Sequence, residues 1–225
     1  MTYWLPKSSK LHVIKVIIAM SYSHSNSTMT HHPIESLLLA SVPLEVQERL
    51  RSIRLMAFDV DGVLTDGRLF YNEHGESFKA FHALDGYGLR LLKECGIIVA
   101  LITGRDGPIV ARRASELGIN EVHQGIRDKS IVLHDLAQRH GLDMKQIGYM
   151  GDDIIDLTAM KCVGFAASVP NAPKYIHQLA HWVADIEGGY GAARKCCAII
   201  LASQAKLGQY FTQTPPISLI TGSPQ

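Results

Sequence analysis

From Ile53 onward, short apolar runs alternate with amphipathic segments, and this rhythm restricts the chain to few architectures. Ile53–Phe58 and Ile97–Ile102 read as buried strands, and Gln146–Met150 and Val163–Ser168 as weaker ones. Between them the apolar spacing predicts helices over Tyr87–Glu94, Pro108–Leu117, Lys129–Arg139 and Ala172–Leu179. Pro108 suits a first helical turn, and Gly118 and Gly141 suit C-terminal stops. Strands alternating with helices predict an α/β fold, a parallel sheet covered by helices on both faces. Such sheets bind ligands beyond the carboxyl ends of their strands. One segment departs from the rhythm. Gly67 to Asp85 carries short alternation around Asn72-Glu73-His74-Gly75, which predicts a β-hairpin flap over the end of the first strand. After Glu187–Gly191 (EGGYG), Ala192–Phe211 reads as a final amphipathic helix.

The 225 residues suffice for one domain with a real core. A net charge of +1 gives no global field toward nucleic acid or an acidic membrane, so neither is expected as a partner. A local basic cluster would still serve a small anionic substrate. The four cysteines form no CxxC pair and read as free thiols of a reducing compartment, which implies a cytoplasmic protein. Leu11–Met20 is apolar, but Lys15 interrupts it and it falls short of the roughly 20 residues that span a bilayer. It has the character of a weak signal-peptide core without a matching cleavage site. Ser21–His32 reads as disordered, and Met20 and Met29 are possible alternative starts. The expected plan is an N-terminal extension over 1–45, one catalytic domain over 46–211 and a mobile tail over 212–225.

Four clusters at proposed strand ends carry chemistry. Asp59 and Asp61 are separated by one residue, so on an extended chain both can face one cleft. Carboxylates that close repel unless a cation or proton intervenes, and magnesium suits an oxygen-only ligand set. Thr103-Gly104-Arg105 offers a hydroxyl, backbone N–H groups and a guanidinium to phosphate oxygens. Lys129 opens a helix, and Gly151-Asp152-Asp153-Ile154-Ile155-Asp156 brings a second acidic group to a strand end.

Taken in order, these clusters resemble the haloacid dehalogenase-like hydrolase superfamily: DVDGVLTDG its first motif, TGR its second, Lys129 its third and GDDIID its fourth. The resemblance implies a Rossmann-like sheet and catalysis through an aspartyl phosphate. Asp59 would be the nucleophile and Asp61 the acid and base. Thr103 would position the phosphoryl group, and Lys129 would offset charge. Mg²⁺ would be held by side chains at Asp59 and Asp152 and by the main-chain carbonyl of Asp61, with Asp153 or Asp156 orienting the site. The segments between motifs leave no room for a cap domain.

DVDGVLTDGRLFY, FKAFHALDGYGLRLL, ITGR, GDDIIDL and GGYGAAR further resemble the 3-deoxy-D-manno-octulosonate 8-phosphate phosphatases, from about Ile53 to Leu207. This implies an acidic sugar phosphate as substrate, a role in lipopolysaccharide synthesis, and a homotetramer with shared active sites. Substrate contacts would fall on Asp61, His82, Ala83, Leu84, Asp85, Gly86, Arg90, Arg105, Arg113 and Lys129. Leu84 stands where members often carry a basic residue, and Lys195 where an acidic one is common. The alternatives are a nine-carbon acylneuraminate 9-phosphate as substrate, or a non-enzymatic phospho-acceptor domain of the receiver type. In receiver domains the lysine follows all the acids, whereas Lys129 precedes Asp152.

Overall fold

A computed structural model describes residues 31–212. Helices α1 (Pro33–Leu39) and α2 (Leu44–Ser52) precede strand β1 (Leu55–Phe58). A hairpin of β2 (Phe70–Asn72) and β3 (Gly75–Phe78), then α3 (Ala83–Glu94), lead to β4 (Ile98–Ile102). There follow α4 (Pro108–Glu116), β5 (Glu121–His123), α5 (Lys129–His140), β6 (Ile147–Met150) and α6 (Leu157–Cys162). The chain ends through β7 (Phe165–Ser168), α7 (Lys174–His177), β8 (Trp182–Val183), α8 (Ala192–Ser203) and α9 (Gln209–Thr212).

Six strands form one parallel sheet in the order β5-β4-β1-β6-β7-β8, as the apolar runs predict. Every residue of β1 is buried, so the strand reads as a continuous apolar run and not as alternation. The chain leaves β1 toward β4 and β5, then returns to its other side for β6, β7 and β8. The crossover direction therefore reverses at β1, and a crevice opens beyond its carboxyl end. The hairpin is a separate two-stranded unit, and among the described residues only it and α3 lie between β1 and β4.

Several boundaries differ from expectation. β1 starts at Leu55 because Ile53 serves as the C-cap of α2. α3 begins earlier than its apolar spacing suggests, because His82 Nδ1 accepts from Leu84 N and caps it. The final helix is two helices. It stops at Ser203, where Gln204 Nε2 turns to donate to Leu50 O and Ile53 O, and Ala205 takes a left-handed φ of 53°. Nor is α8 a surface helix. It packs against α1, α2 and α3, which buries both Cys196 and Cys197, and all four cysteines are free thiols.

The largest correction concerns the N-terminal boundary. Expectations for residues 1–30 and for 213–225 lie outside the described residues. Residues 33–45, expected to belong to an appendage, instead join the core. Leu39 is buried, and so is Glu35, whose carboxylate accepts from His32 N at 2.8 Å and from Gly208 N at 2.7 Å. A seven-residue helix does not persist alone in water, so this packing holds it. Glu35→Ala orphans the buried Gly208 N–H and is expected to cost about 1–3 kcal/mol. Thermal unfolding should show a lower Tm with turnover unchanged; an unchanged Tm would refute the packing role.

Candidate active site

Three strand ends meet at the crevice. Asp59 follows β1, its N–H donating to Met150 O at 2.9 Å, so the loop after β1 is pinned to β6. Its buried carboxylate lies 2.7 Å from Lys129 Nζ. Lys129 opens α5 behind the Asp128 cap, and its side chain is fully buried. A helix-start lysine ordinarily faces solvent; here its second partner, Asp156 at 2.6 Å, explains the burial. Asp156 Oδ1 accepts from Lys129 and from Tyr149 Oη (2.5 Å), and Oδ2 accepts from the N–H groups of Asp152 (2.9 Å) and Asp153 (3.1 Å). These four donors saturate Asp156, which therefore shapes the loop after β6. Asp153 caps the short 3₁₀ turn Ile154–Asp156 and makes no such link. Of the two candidates for the orienting role, the geometry favours Asp156.

Carboxylate oxygens of Asp59, Asp152 and Asp156 lie within 4.8 Å of one another. Burial, then the charge of Asp156, raises Asp59 to about 7 despite Lys129. Burial, then Asp59 and Asp156, raises Asp152 to about 8. Burial alone would lower Lys129, but Asp59 and Asp156 together hold it above its ordinary value. With all three acids ionised, three carboxylates and one ammonium carry an excess of two negative charges. The carboxylate of Asp152 accepts no protein hydrogen bond among the described residues. A Cβ on Gly62 would fall 2.0 Å from Asp152 Oδ2, so only glycine lets the loop after β1 close on that acid. This all-oxygen set suits a divalent cation.

A pH dependence follows. Both acids have folded-state values above their ordinary 3.8, so the folded, metal-free protein binds more protons than the unfolded chain. Stability of metal-stripped protein should therefore fall as pH rises from about 4 to about 8. Saturating Mg²⁺ should remove most of that slope. Parallel Tm–pH curves with and without metal would contradict it.

Asp61 is not one of the three acids of this cluster, and its carboxylate has other partners. Lys79 Nζ donates to Asp61 Oδ1 and to Glu76 Oε1, and Arg105 Nε stands 4.0 Å from Asp61 Oδ2 and 3.7 Å from Glu76. Arg105 also donates to Tyr71 Oη on the hairpin. Thr103 is buried at the end of β4, with its Oγ1 accepting from Arg105 N at 3.2 Å. Sequence reasoning did not single out Lys79, Glu76 or Tyr149 for this site. A charged residue in a flap and a tyrosine in an apolar strand carry no local signal of such partners.

The expected substrate positions divide. Arg113 stacks on Phe81 at 5.8 Å, beside His82, in a hollow completed by Leu64 and Leu89. Gly86 makes that possible, since a Cβ there would meet Arg113 Nη2 at 2.2 Å. Ala83 and Leu84 are exposed on the first turn of α3. Asp85, another expected substrate position, has its side chain engaged within the fold. Its carboxylate is buried and accepts from Gly191 N (3.2 Å) and Arg194 N (2.7 Å), which caps α8. Arg90 lines a different depression, with Lys93, Glu94 and Ser115, apart from the one that Arg105 lines.

A sequence profile of haloacid dehalogenase-like hydrolases matches residues 113–188. The 3-deoxy-D-manno-octulosonate 8-phosphate phosphatase of Yersinia pestis is 42% identical over 163 residues, covering 72% of this chain and 87% of that protein. The chain belongs to this phosphatase family. The Haemophilus influenzae phosphatase is 39% identical over 74% of this chain and 93% of its own length. Among solved structures, the Moraxella catarrhalis phosphatase in complex with magnesium, phosphate and KDO superposes with a TM-score of 0.72. It is 41% identical and covers 74% of this chain and 96% of that one. As a phosphatase of this family the protein is a phosphomonoesterase, and its acidic cluster suits a metal ion. No helix among the described residues is long and apolar enough to cross a membrane.

Proposed function

We propose that this protein hydrolyses 3-deoxy-D-manno-octulosonate 8-phosphate to the free sugar acid and phosphate in lipopolysaccharide synthesis, with Mg²⁺ as cofactor. The buried ion pair of Lys129 with Asp59 at a crevice of three strand ends carries the reading. Asp59 attacks phosphorus as the ester P–O bond breaks, and Asp61 gives its proton to the leaving oxygen. Asp61 then takes a proton from the water that attacks the aspartyl phosphate, releasing phosphate and restoring Asp59. Lys129 offsets the repulsion between anionic nucleophile and anionic substrate, and Thr103 orients the phosphoryl oxygens. Mg²⁺, held by Asp59, Asp152 and the Asp61 carbonyl, supplies further charge neutralisation when bound.

Sugar choice falls to Arg105 and Arg113, whose forks suit a carboxylate. Leu69, Tyr71 and Phe78 leave large apolar surface exposed on the hairpin. That exposure supports a homotetramer that covers these side chains and shares its clefts between subunits, and we place it in the cytoplasm. The test is phosphate release from the eight-carbon acid phosphate, a nine-carbon acylneuraminate 9-phosphate and glucose 6-phosphate. The eight-carbon ester should give the highest kcat/KM, and Arg113→Ala should raise its KM about 10- to 100-fold, the worth of a charge-assisted contact. Equal kcat/KM on all three would overturn the substrate assignment.

A further inference from the structure

The two oxygens of Asp61 are not equivalent. Oδ1 accepts from Lys79 Nζ, whose side chain is only 2% exposed. Oδ2 is buried and has no hydrogen-bond partner, and so has Arg105 Nε, 4.0 Å away. That spacing is too long for a hydrogen bond between them. Lys79 in turn is held by Glu76 Oε1 at 2.8 Å. Asp61, Glu76, Lys79 and Arg105 thus form a group of two carboxyl and two basic side chains, separate from the acidic cluster around Asp152. Because Lys79 directly follows β3, whose Phe78 stacks on Phe70 with ring centroids 4.3 Å apart, the hairpin register fixes where its ammonium arrives.

We infer that Lys79 is a positioning residue for the phosphatase reaction: it anchors Oδ1 of Asp61 so that Oδ2 makes the proton transfers. The inference rests on the phosphatase reading above. The terminal torsion of an aspartate is broad and roughly two-fold, so nothing intrinsic to the side chain selects one oxygen. The ammonium supplies that selection. Glu76 holds the ammonium, and Arg105, joined to the hairpin through Tyr71, closes the opposite side. Through these contacts the flap acts on the catalytic acid, as well as covering the cleft.

The test compares wild type, Lys79→Met, Asp61→Asn and the double variant with saturating Mg²⁺ on two esters. The first is p-nitrophenyl phosphate, whose leaving group departs with little protonation. The second is the eight-carbon sugar acid phosphate, whose alkoxide requires a proton. Lys79→Met should lower kcat and kcat/KM on the sugar ester about 10²-fold, the lower end of what acid–base catalysis contributes, and lower kcat/KM on the aryl ester far less, since kcat/KM reports the leaving-group step and not the shared hydrolysis of the aspartyl phosphate. The sugar-to-aryl ratio is independent of the folded fraction, so partial misfolding does not obscure it. On the sugar ester the double variant should match Asp61→Asn within about twofold, as expected of two residues acting as one unit. Lys79→Arg should recover most of the ratio. Equal losses of kcat/KM on both esters, or losses that add to those of Asp61→Asn, overturn the inference. A rise confined to KM also overturns it and would make Lys79 a ligand for the sugar. Wild type releasing phosphate from neither ester overturns the phosphatase reading and the inference together.

Discussion

Replacing Asp59 with asparagine is expected to lower turnover about 10⁴- to 10⁶-fold, on the scale seen when a covalent nucleophile is removed. The fold should survive, because Lys129 keeps Asp156 as a buried partner at 2.6 Å. The sign of the stability change separates a catalytic acid from a structural one. Burial, then the charge of Asp156, raises Asp59, so its charge at pH 8 works against the folded, metal-free protein. Asp59→Asn should therefore raise the Tm of EDTA-treated protein at pH 8 while abolishing phosphate release. A lower Tm with residual turnover near wild type would remove Asp59 from the nucleophile's role.

Asp156→Ala is expected to move stability in the opposite direction. It leaves the fully buried Lys129 with one carboxylate, and strips acceptors from Tyr149 Oη and two N–H groups of the loop after β6. Removing one partner of a buried ion pair typically costs about 3–5 kcal/mol. At about 2–4 °C per kcal/mol for a chain of this size, Tm should fall roughly 6–20 °C. Turnover should fall as well, since Asp152 and Lys129 both lose their alignment. Urea unfolding with an unchanged midpoint would show that the four hydrogen bonds are not what holds the loop.

The sheet was legible because its central strands are buried on both faces. Leu55–Phe58 and Ile98–Ile102 have to be apolar at nearly every position, and a run of that kind is conspicuous. The acids were legible because they stand directly after those runs. What escaped depends on partners far away in sequence. Glu35 reads as an ordinary helical glutamate until Gly208 is placed beside it. Asp85 lies among residues that resemble a substrate-binding segment, yet its carboxylate serves the N-terminus of α8. β8 has two residues, too few for any period to register. Lys79 is the sharpest instance, a lysine beside a hairpin whose side chain is nonetheless buried between two carboxylates.

The placement of β1 at the middle of the sheet also sets a timetable for synthesis. Its strand neighbours, β4 and β6, are both made later, so the strand leading to Asp59 emerges with neither edge covered. Parallel pairing of this kind is non-local and slow, and unpaired apolar edges invite aggregation in the meantime. The seam between α1 and the segment after α8 closes later still, because Glu35 and Gly208 are 173 positions apart. At about 5–20 residues per second, roughly 9–35 s separate the emergence of the two, and during that interval the nascent chain depends on whatever shields its first strand and its first helix.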